Sequence, residues 1–283
     1  MDSQAGTLYL VATPIGNLED ITQRALRILN EVDLIAAEDT RHTLKLLNYF
    51  QIKKSLVSYY KYNEKEKAGE LITALLNGKN IALVSDAGMP GISDPGNLLV
   101  MEAIKKEINV TPIPGASAVV TALAASGLDT RSFCFEGFLP RKQSEQIAKL
   151  QEIIDYQGSL VFYEAPHRLI QTLNNIYRIF GDRKVVIARE LTKMHEEFIR
   201  GNLSQITAVI VTEKLKGEFT IVVEGSAFSV KNHQNSTKFD TEDLFKALKG
   251  DQKSIRKELK EISKKVGKST KELYQMYLKA QKK

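Results

Sequence analysis

Apolar residues in this chain gather in short runs, separated by longer segments whose apolar positions recur at helical spacing. Residues 7–12 form the first run, followed by 34–37, 56–59, 81–84 and 109–113. Between them, residues 21–32, 42–49, 66–76 and 97–106 read as helices, the third ending at Asn77-Gly78. The second half repeats the theme. Strand signals at 133–135, 160–163, 185–188 and 219–223 alternate with helices over 146–156, 169–180 and 203–211. Apolar strands separated by helices predict an α/β protein with parallel sheets covered on both faces. In such sheets ligands bind where the loops leave the carboxyl ends of the strands.

The pattern changes near the C-terminus. Residues 225–238 are polar and read as a linker. Beyond them Ile255, Leu259, Ile262 and Val266 recur at helical spacing, Gly267 interrupts, and Ser269-Thr270 opens a last helix. The expected division is therefore an α/β domain over 1–114, a second over 115–225, a linker over 226–239 and a helix-turn-helix-like module over 240–283. Charge separates the parts in the same way. From Asp240 onward there are 13 Lys or Arg against 7 Asp or Glu, a net +6, whereas residues 1–239 hold 27 of each sign. A basic appendage on a neutral body suits a polyanion, nucleic acid in particular, and charge alone favours that reading modestly over a Lys-rich solvated helix.

Composition narrows the setting. At 283 residues and 43% hydrophobic, the chain is long enough for two ordinary cores, and no apolar run approaches a membrane span. The N-terminal residues carry neither a basic nor an apolar targeting segment, so a cytoplasmic protein is expected. One cysteine, Cys134, excludes an internal disulfide and is expected to be a buried structural thiol.

Unusual residues collect in the loops after the strands. Val84-Ser85-Asp86-Ala87-Gly88-Met89-Pro90-Gly91-Ile92-Ser93-Asp94-Pro95-Gly96 holds three glycines, two prolines and two acids, with no Lys or Arg. A phosphate cradle would present a Lys, so this loop suits a ligand with positive charge or with hydroxyl and amine donors. A strand-to-helix turn capped by Ser93 or Asp94 explains it as well. The loop after the first strand has Gly16 alone, not a dinucleotide fingerprint. Glu38, Asp39 and His42 match no established metal spacing, and a helix start capped by Asp39 or Thr40 is preferred. Further loops are 112–118, 163–168 and 188–193. His167 and His195 have no serine or cysteine partner in an elbow motif, which disfavours nucleophilic catalysis. Carboxylates, a few arginines and exposed backbone fit an enzyme that positions an already activated electrophile.

These loops together resemble a family. Thr13-Pro14-Ile15-Gly16-Asn17-Leu18-Glu19-Asp20, Ala37-Glu38-Asp39-Thr40-Arg41, the 85–96 loop, Pro114-Gly115-Ala116-Ser117 and Phe135-Glu136-Gly137-Phe138-Leu139-Pro140 are similar to the bacterial ribosomal RNA small subunit methyltransferase I family, within the tetrapyrrole methylases. So are Phe162-Tyr163-Glu164-Ala165-Pro166-His167-Arg168 and Arg189-Glu190-Leu191-Thr192-Lys193, in the right order from about residue 6 to 225. The resemblance implies two α/β domains of the tetrapyrrole methylase type with a cofactor cleft between them, and a homodimer. It implies methyl transfer from S-adenosylmethionine to the 2′-hydroxyl of a cytidine in the decoding region of 16S rRNA, free or within the 30S subunit.

Carried onto this sequence, the resemblance sets Pro14, Gly16, Asp86, Ala87, Gly88, Gly91, Ile92, Ser93, Gly115, Ala116, Ser117, Tyr163 and Ala188 against the cofactor. It sets Arg41, Arg141, Lys142, His167 and Arg168 on the RNA side, joined by Lys264, Lys265 and Lys268 of the tail. A 2′-hydroxyl is a weak nucleophile at neutral pH, so a carboxylate should take its proton. Asp39, Glu164 and Glu190 are the candidates, with Arg189 and Arg41 orienting the acceptor. A structural ion pair of Glu190 with Arg189 or Lys193 is the competing reading. No metal is required. Two alternatives remain: a small-molecule methyltransferase acting on a tetrapyrrole, and a non-catalytic RNA-binding protein.

Overall fold

The computed structural model describes residues 5–210 and 216–226, together with Ile255, Leu259, Thr270 and Tyr274. The chain divides into two compact units, Met1–Ser226 and Ala227–Lys283. In the second, Ile255 and Leu259 are helical and buried. Lys264, Lys265 and Lys268 lie outside the described residues, as does most of the expected helix-turn-helix.

The first unit holds two five-stranded sheets. The first sheet comprises β1 (Thr7–Val11), β2 (Leu34–Ala37), β3 (Leu56–Ser58), β4 (Ile81–Val84) and β5 (Asn109–Ile113). Its order is β3-β2-β4-β1-β5 and every pairing is parallel. Helices α1 (Gln23–Glu31), α2 (Thr40–Tyr49), α3 (Glu64–Leu76) and α4 (Asn97–Lys105) cover it. The two-residue alternation of strands divides its side chains between two cores. Ile81 and Leu83 meet Leu71, Leu75 and Leu99 on the α3/α4 face, while Ala82 and Val84 meet Ile28, Leu29 and Leu47 on the α1/α2 face. Burial on both faces is why these strands read as unbroken apolar runs. Thr22 caps α1 by accepting from the Ala25 N–H at 3.1 Å, and Asp39 caps α2 as expected, accepting from the Arg41 N–H at 2.8 Å.

Helix α5 (Ala118–Ser126) leads to the second sheet, built from β6 (Phe133–Phe138), β7 (Ser159–Glu164), β8 (Lys184–Arg189), β9 (Glu197–Asn202) and β10 (Phe219–Val223). Helices α6 (Gln143–Glu152), α7 (Leu169–Phe180) and α8 (Leu203–Ile210) pack on one face, α5 on the other. Here the expectation of parallel strands is corrected. The order is β6-β7-β10-β8-β9, with β6 and β7 parallel and every other neighbour antiparallel. Strand β9 is polar, half-exposed and follows β8 without a helix, so it gives no apolar run to find. The last strand, β10, enters between β7 and β8 and is buried throughout. Among the described residues, no helix is long and apolar enough to cross a membrane. Cys134 is half-buried, not fully buried as expected, and burial pushes its thiol pKa up.

Candidate active site

At the carboxyl edge of the first sheet, the chain leaving β1 is clamped to the chain leaving β4. The Thr13 N–H donates to the Gly88 carbonyl at 2.9 Å and the Gly88 N–H returns to the Thr13 carbonyl at 3.0 Å. The Thr13 hydroxyl adds a bond to the Ser85 carbonyl at 3.1 Å. From there the loop winds through positive φ at Gly88, Gly91 and Ser93 to Gly96, which precedes α4. Neither Ser93 nor Asp94 caps that helix: the N-cap position is Gly96, with no side-chain bond, and its N–H donates to Glu64 at 3.0 Å.

Instead the Asp94 carboxyl turns to Ser85 and faces two other acids. The Asp39 N–H donates to Asp86 Oδ1 at 3.1 Å, and the Asp86 N–H lies 3.4 Å from Glu38 Oε2. Burial, chiefly, and the charges of Glu38 and Asp86 push the Asp94 pKa up to about 6, against the Ser85 hydrogen bond. Burial also raises Glu38. Asp39 behaves oppositely, because the Arg41 guanidinium grips it from 3.0 and 2.6 Å and holds it well below the usual carboxylate range.

The second sheet closes a cavity of about 310 Å³ over this loop. A bulge in β6 brings Gly137, at φ +63°, so near the loop that a Cβ there would lie 2.8 Å from Ser93 Oγ. Glycine meets both conditions at the least cost. Tyr163, at the end of β7, packs edge-on against Phe135 and Phe138 with ring centres 4.9 and 5.6 Å away. Burial and the Asp94 charge push its pKa up to about 12. The apolar wall consists of Ile15, Met89, Ile92 and Phe138, and among the described residues no Lys or Arg lines the cavity. Of its carboxylates, Glu218 is paired with Lys193 at 3.0 Å, and Glu164 is committed to the core. Among the described residues that leaves Asp94 without a cationic partner.

The expected site residues separate into groups. Ala87, Gly88, Ile92, Ser93, Ser117, Tyr163 and Glu164 line this cavity. Pro14 and Asp86 instead line a second cavity on the other side of the Thr13–Gly88 bridge. Gly16 packs against the 191–193 loop, its position for a Cβ lying 2.9 Å from the Leu191 carbonyl. Gly115 packs on Ala12, and Ala188 is buried beneath the sheet. Gly91 and Ala116 belong to the surrounding loops without lining either cavity.

Two expected bases have close partners. Glu164, fully buried, accepts from the Ala165 N–H at 2.8 Å and the Thr172 hydroxyl at 2.5 Å, and lies 3.4 Å from Arg168 Nε. Glu190 accepts from Lys193 at 2.9 Å and from the Glu218 N–H at 2.9 Å, and Lys193, foremost, lowers its pKa. The structural ion pair is therefore the arrangement found. Arg189 bonds the Lys216 carbonyl at 3.0 Å and faces Glu197, outside the cavity. Arg168 also departs from its expected place: its guanidinium holds the Leu139 and Pro140 carbonyls at 2.8 and 3.0 Å. Arg41, Arg141, Lys142 and His167 are exposed.

What the sequence reading missed has one main cause. Gly217, Phe219 and Thr220 line the cavity because antiparallel β10 brings its amino end to the edge where β7 and β8 finish. The rule that sites gather at carboxyl ends does not look there. Asp94 stood inside the singled-out loop, and its acidity without a neighbouring cation was the available signal.

Two packed α/β sheets with an acid-lined cavity between them define the class. Residues 7–207 match the family model of tetrapyrrole (corrin/porphyrin) methylases, and the chain belongs to that family. Within it, the chain stands with proteins named ribosomal RNA small subunit methyltransferase I. It is 56% identical over 226 residues to the one from Halalkalibacterium halodurans, covering 80% of this chain and 78% of that one. The Bacillus subtilis relative of the same name is 50% identical over 224 residues, covering 79% and 77%. Among solved structures, uroporphyrin-III C-methyltransferase from Thermus thermophilus complexed with S-adenosylhomocysteine superimposes with a TM-score of 0.55 at 18% identity. That match covers 77% of this chain and 97% of the other, and at such identity the likeness is one of fold.

Proposed function

We propose that this chain transfers a methyl group from S-adenosylmethionine to the ribose 2′-oxygen of a cytidine in the decoding region of 16S rRNA. The observation that carries the reading is the cavity's lining: carboxyl groups, aromatic and aliphatic walls, and, among the described residues, no Lys or Arg. That donor set suits a cation with an apolar flank, and its relatives at 50 and 56% identity bear the name of rRNA methyltransferases. S-adenosylmethionine, when bound, supplies a methyl group activated by its sulfonium charge. Asp94 would face that charge, Ile15, Met89, Ile92 and Phe138 would exclude water around the adenosine, and Ser117 would offer a hydroxyl.

The acceptor hydroxyl must lose its proton as the new C–O bond forms. Asp94 is the group to receive it, because its carboxyl lines the cavity and its pKa stands nearer neutrality than an ordinary carboxyl's. Asp39, neutralised by Arg41, serves to cap α2, and Glu164 and Glu190 hold loops in place. Arg41, Arg141 and Lys142 are the exposed cations for rRNA phosphates, with His167 as a further exposed donor, and a cytoplasmic homodimer acting on the 30S particle is the assembly this reading favours.

The test is transfer of label from S-adenosylmethionine to 30S subunits from cells lacking the endogenous activity, with the modified nucleotide mapped by mass spectrometry. Label on a cytidine 2′-oxygen is the expected result. Cofactor binding without any label on RNA would reject the reading in favour of a tetrapyrrole acceptor.

A further inference from the structure

A second cavity, of about 230 Å³, opens on the far side of the Thr13–Gly88 bridge. The wall between the two is thin: Pro14 and Asp86 line this cavity, while their chain neighbours Ile15 and Ala87 line the first. One face of α2 forms the opposite side. His42, Lys45 and Tyr49 stand at positions i, i+3 and i+7, so they share a stripe, with Leu46 beneath them.

These residues are unusual in being exposed and unengaged. Tyr49 is 64% exposed, held by an edge-on contact with Phe50 at 4.9 Å. The His42 and Lys45 side chains enter no ion pair among the described residues. Across the cavity, Asp86 gives one oxygen, Oδ1, to the Asp39 N–H, and Oδ2 makes no hydrogen bond among the described residues. Pro14 and Leu18 supply an apolar edge. An aromatic ring, an apolar edge, an acceptor at the foot, and a lysine and an imidazole at the rim match the parts of a single nucleotide. The ring stacks on a base, the acceptor takes an amine or hydroxyl, and the lysine and imidazole donors meet phosphate. The volume lies below the range of about 300–1,000 Å³ typical of whole-ligand pockets, which suits one unstacked nucleoside and not a four-ring macrocycle.

We propose that this cavity receives a nucleotide flanking the acceptor in a single-stranded RNA segment, with its base against Tyr49, its phosphate near Lys45 and His42, and a donor group on Asp86. The inference rests on the RNA methylation reading and assigns the place from which the acceptor is presented. Tyr49 and Lys45 are binding residues here and hold no part of the cofactor.

The experiment combines two readouts. Single-stranded RNA with 5-iodocytidine at its cytidine positions is photo-crosslinked to the full chain, and the joined peptide is identified by mass spectrometry. In parallel, methyl transfer to 30S subunits and equilibrium binding of S-adenosylmethionine are measured for Y49A, Y49F and K45A. The crosslink is expected on Tyr49 and is lost in Y49A. Stacking on one base predicts a loss of about 5- to 150-fold in kcat/KM for RNA in Y49A, with recovery in Y49F and unchanged cofactor affinity. Crosslinks confined to other aromatic residues, such as Tyr60 and Tyr62, or a Y49A enzyme that methylates like the parent, overturn the proposal. If the parent transfers no methyl group to RNA while crosslinking at Tyr49 persists, the catalytic reading fails and the nucleotide site stands.

Discussion

The two sheets end in loops that look alike in sequence, each with carboxylates beside arginines, yet the carboxylates do different things. At the second sheet, Glu164 and Glu190 have cations within reach, Arg168 and Lys193, and backbone N–H groups fill their remaining lone pairs. They are closed, structural pairs. At the first sheet, Glu38, Asp86 and Asp94 face one another and only Asp39 has a cation, Arg41. Burial, foremost, and their mutual repulsion raise two of them, Glu38 and Asp94, towards the neutral form. A carboxylate thus signals chemistry by what its neighbours fail to satisfy, not by its position in a motif.

The comparison is sharpest at Glu164. Replacing it with alanine leaves Arg168 nearly buried and unpaired, and a broken buried pair costs about 3–5 kcal/mol. Urea unfolding of E164A should show that loss, with S-adenosylmethionine affinity kept in the folded fraction. A stable but inactive E164A would instead put Glu164 in the chemistry. Next comes Asp94. D94N should lower the single-turnover rate by about 100-fold, the lower end for a general base, and should gain stability near neutral pH.

The sign of that gain follows from proton release. The unfolded Asp94 carboxyl ionises near 3.8 and the folded one near 6. Between those values the native state keeps a proton that the unfolded chain gives up, so stability falls as pH rises through the window. Urea unfolding of parent and D94N across that window should show a steeper fall in the parent, with the remainder in D94N set by groups such as Glu38. The same protonation should weaken cofactor binding as pH drops through about 6, and D94N should flatten that profile. E190Q should cost less than about 1 kcal/mol, as expected of a partly exposed pair, and calorimetry would reveal a larger penalty. Smallest of all, D39N keeps a good helix cap and should methylate like the parent.

Much of the first sheet was legible because its strands are buried on both faces and its helices begin at Thr22 and Asp39, residues that cap by their own side chains. The second sheet was legible as elements but not as topology. Apolar runs at 160–163, 185–188 and 219–223 report burial, and burial is the same for a parallel strand and an antiparallel one. The polar β9 hairpin partner left no trace of that kind. Within the site, the family resemblance led to Ser93, Ser117 and Tyr163, whereas Phe219 and Thr220 required the strand direction to be known. Glu190 was ambiguous until Lys193, three residues on, was seen to bond it across a turn.

Strand β10 has a consequence for how the protein is made. It is the last strand of the first unit in sequence and the middle strand of its sheet, paired on one side with β7 and on the other with β8. Until Val223 has emerged during synthesis, β7 and β8 each present an apolar, unpaired edge, the kind of surface that invites association between chains. A chain cut short before Phe219 should therefore be recovered as aggregate, and the first sheet, complete by Ile113, has over a hundred residues' head start in folding.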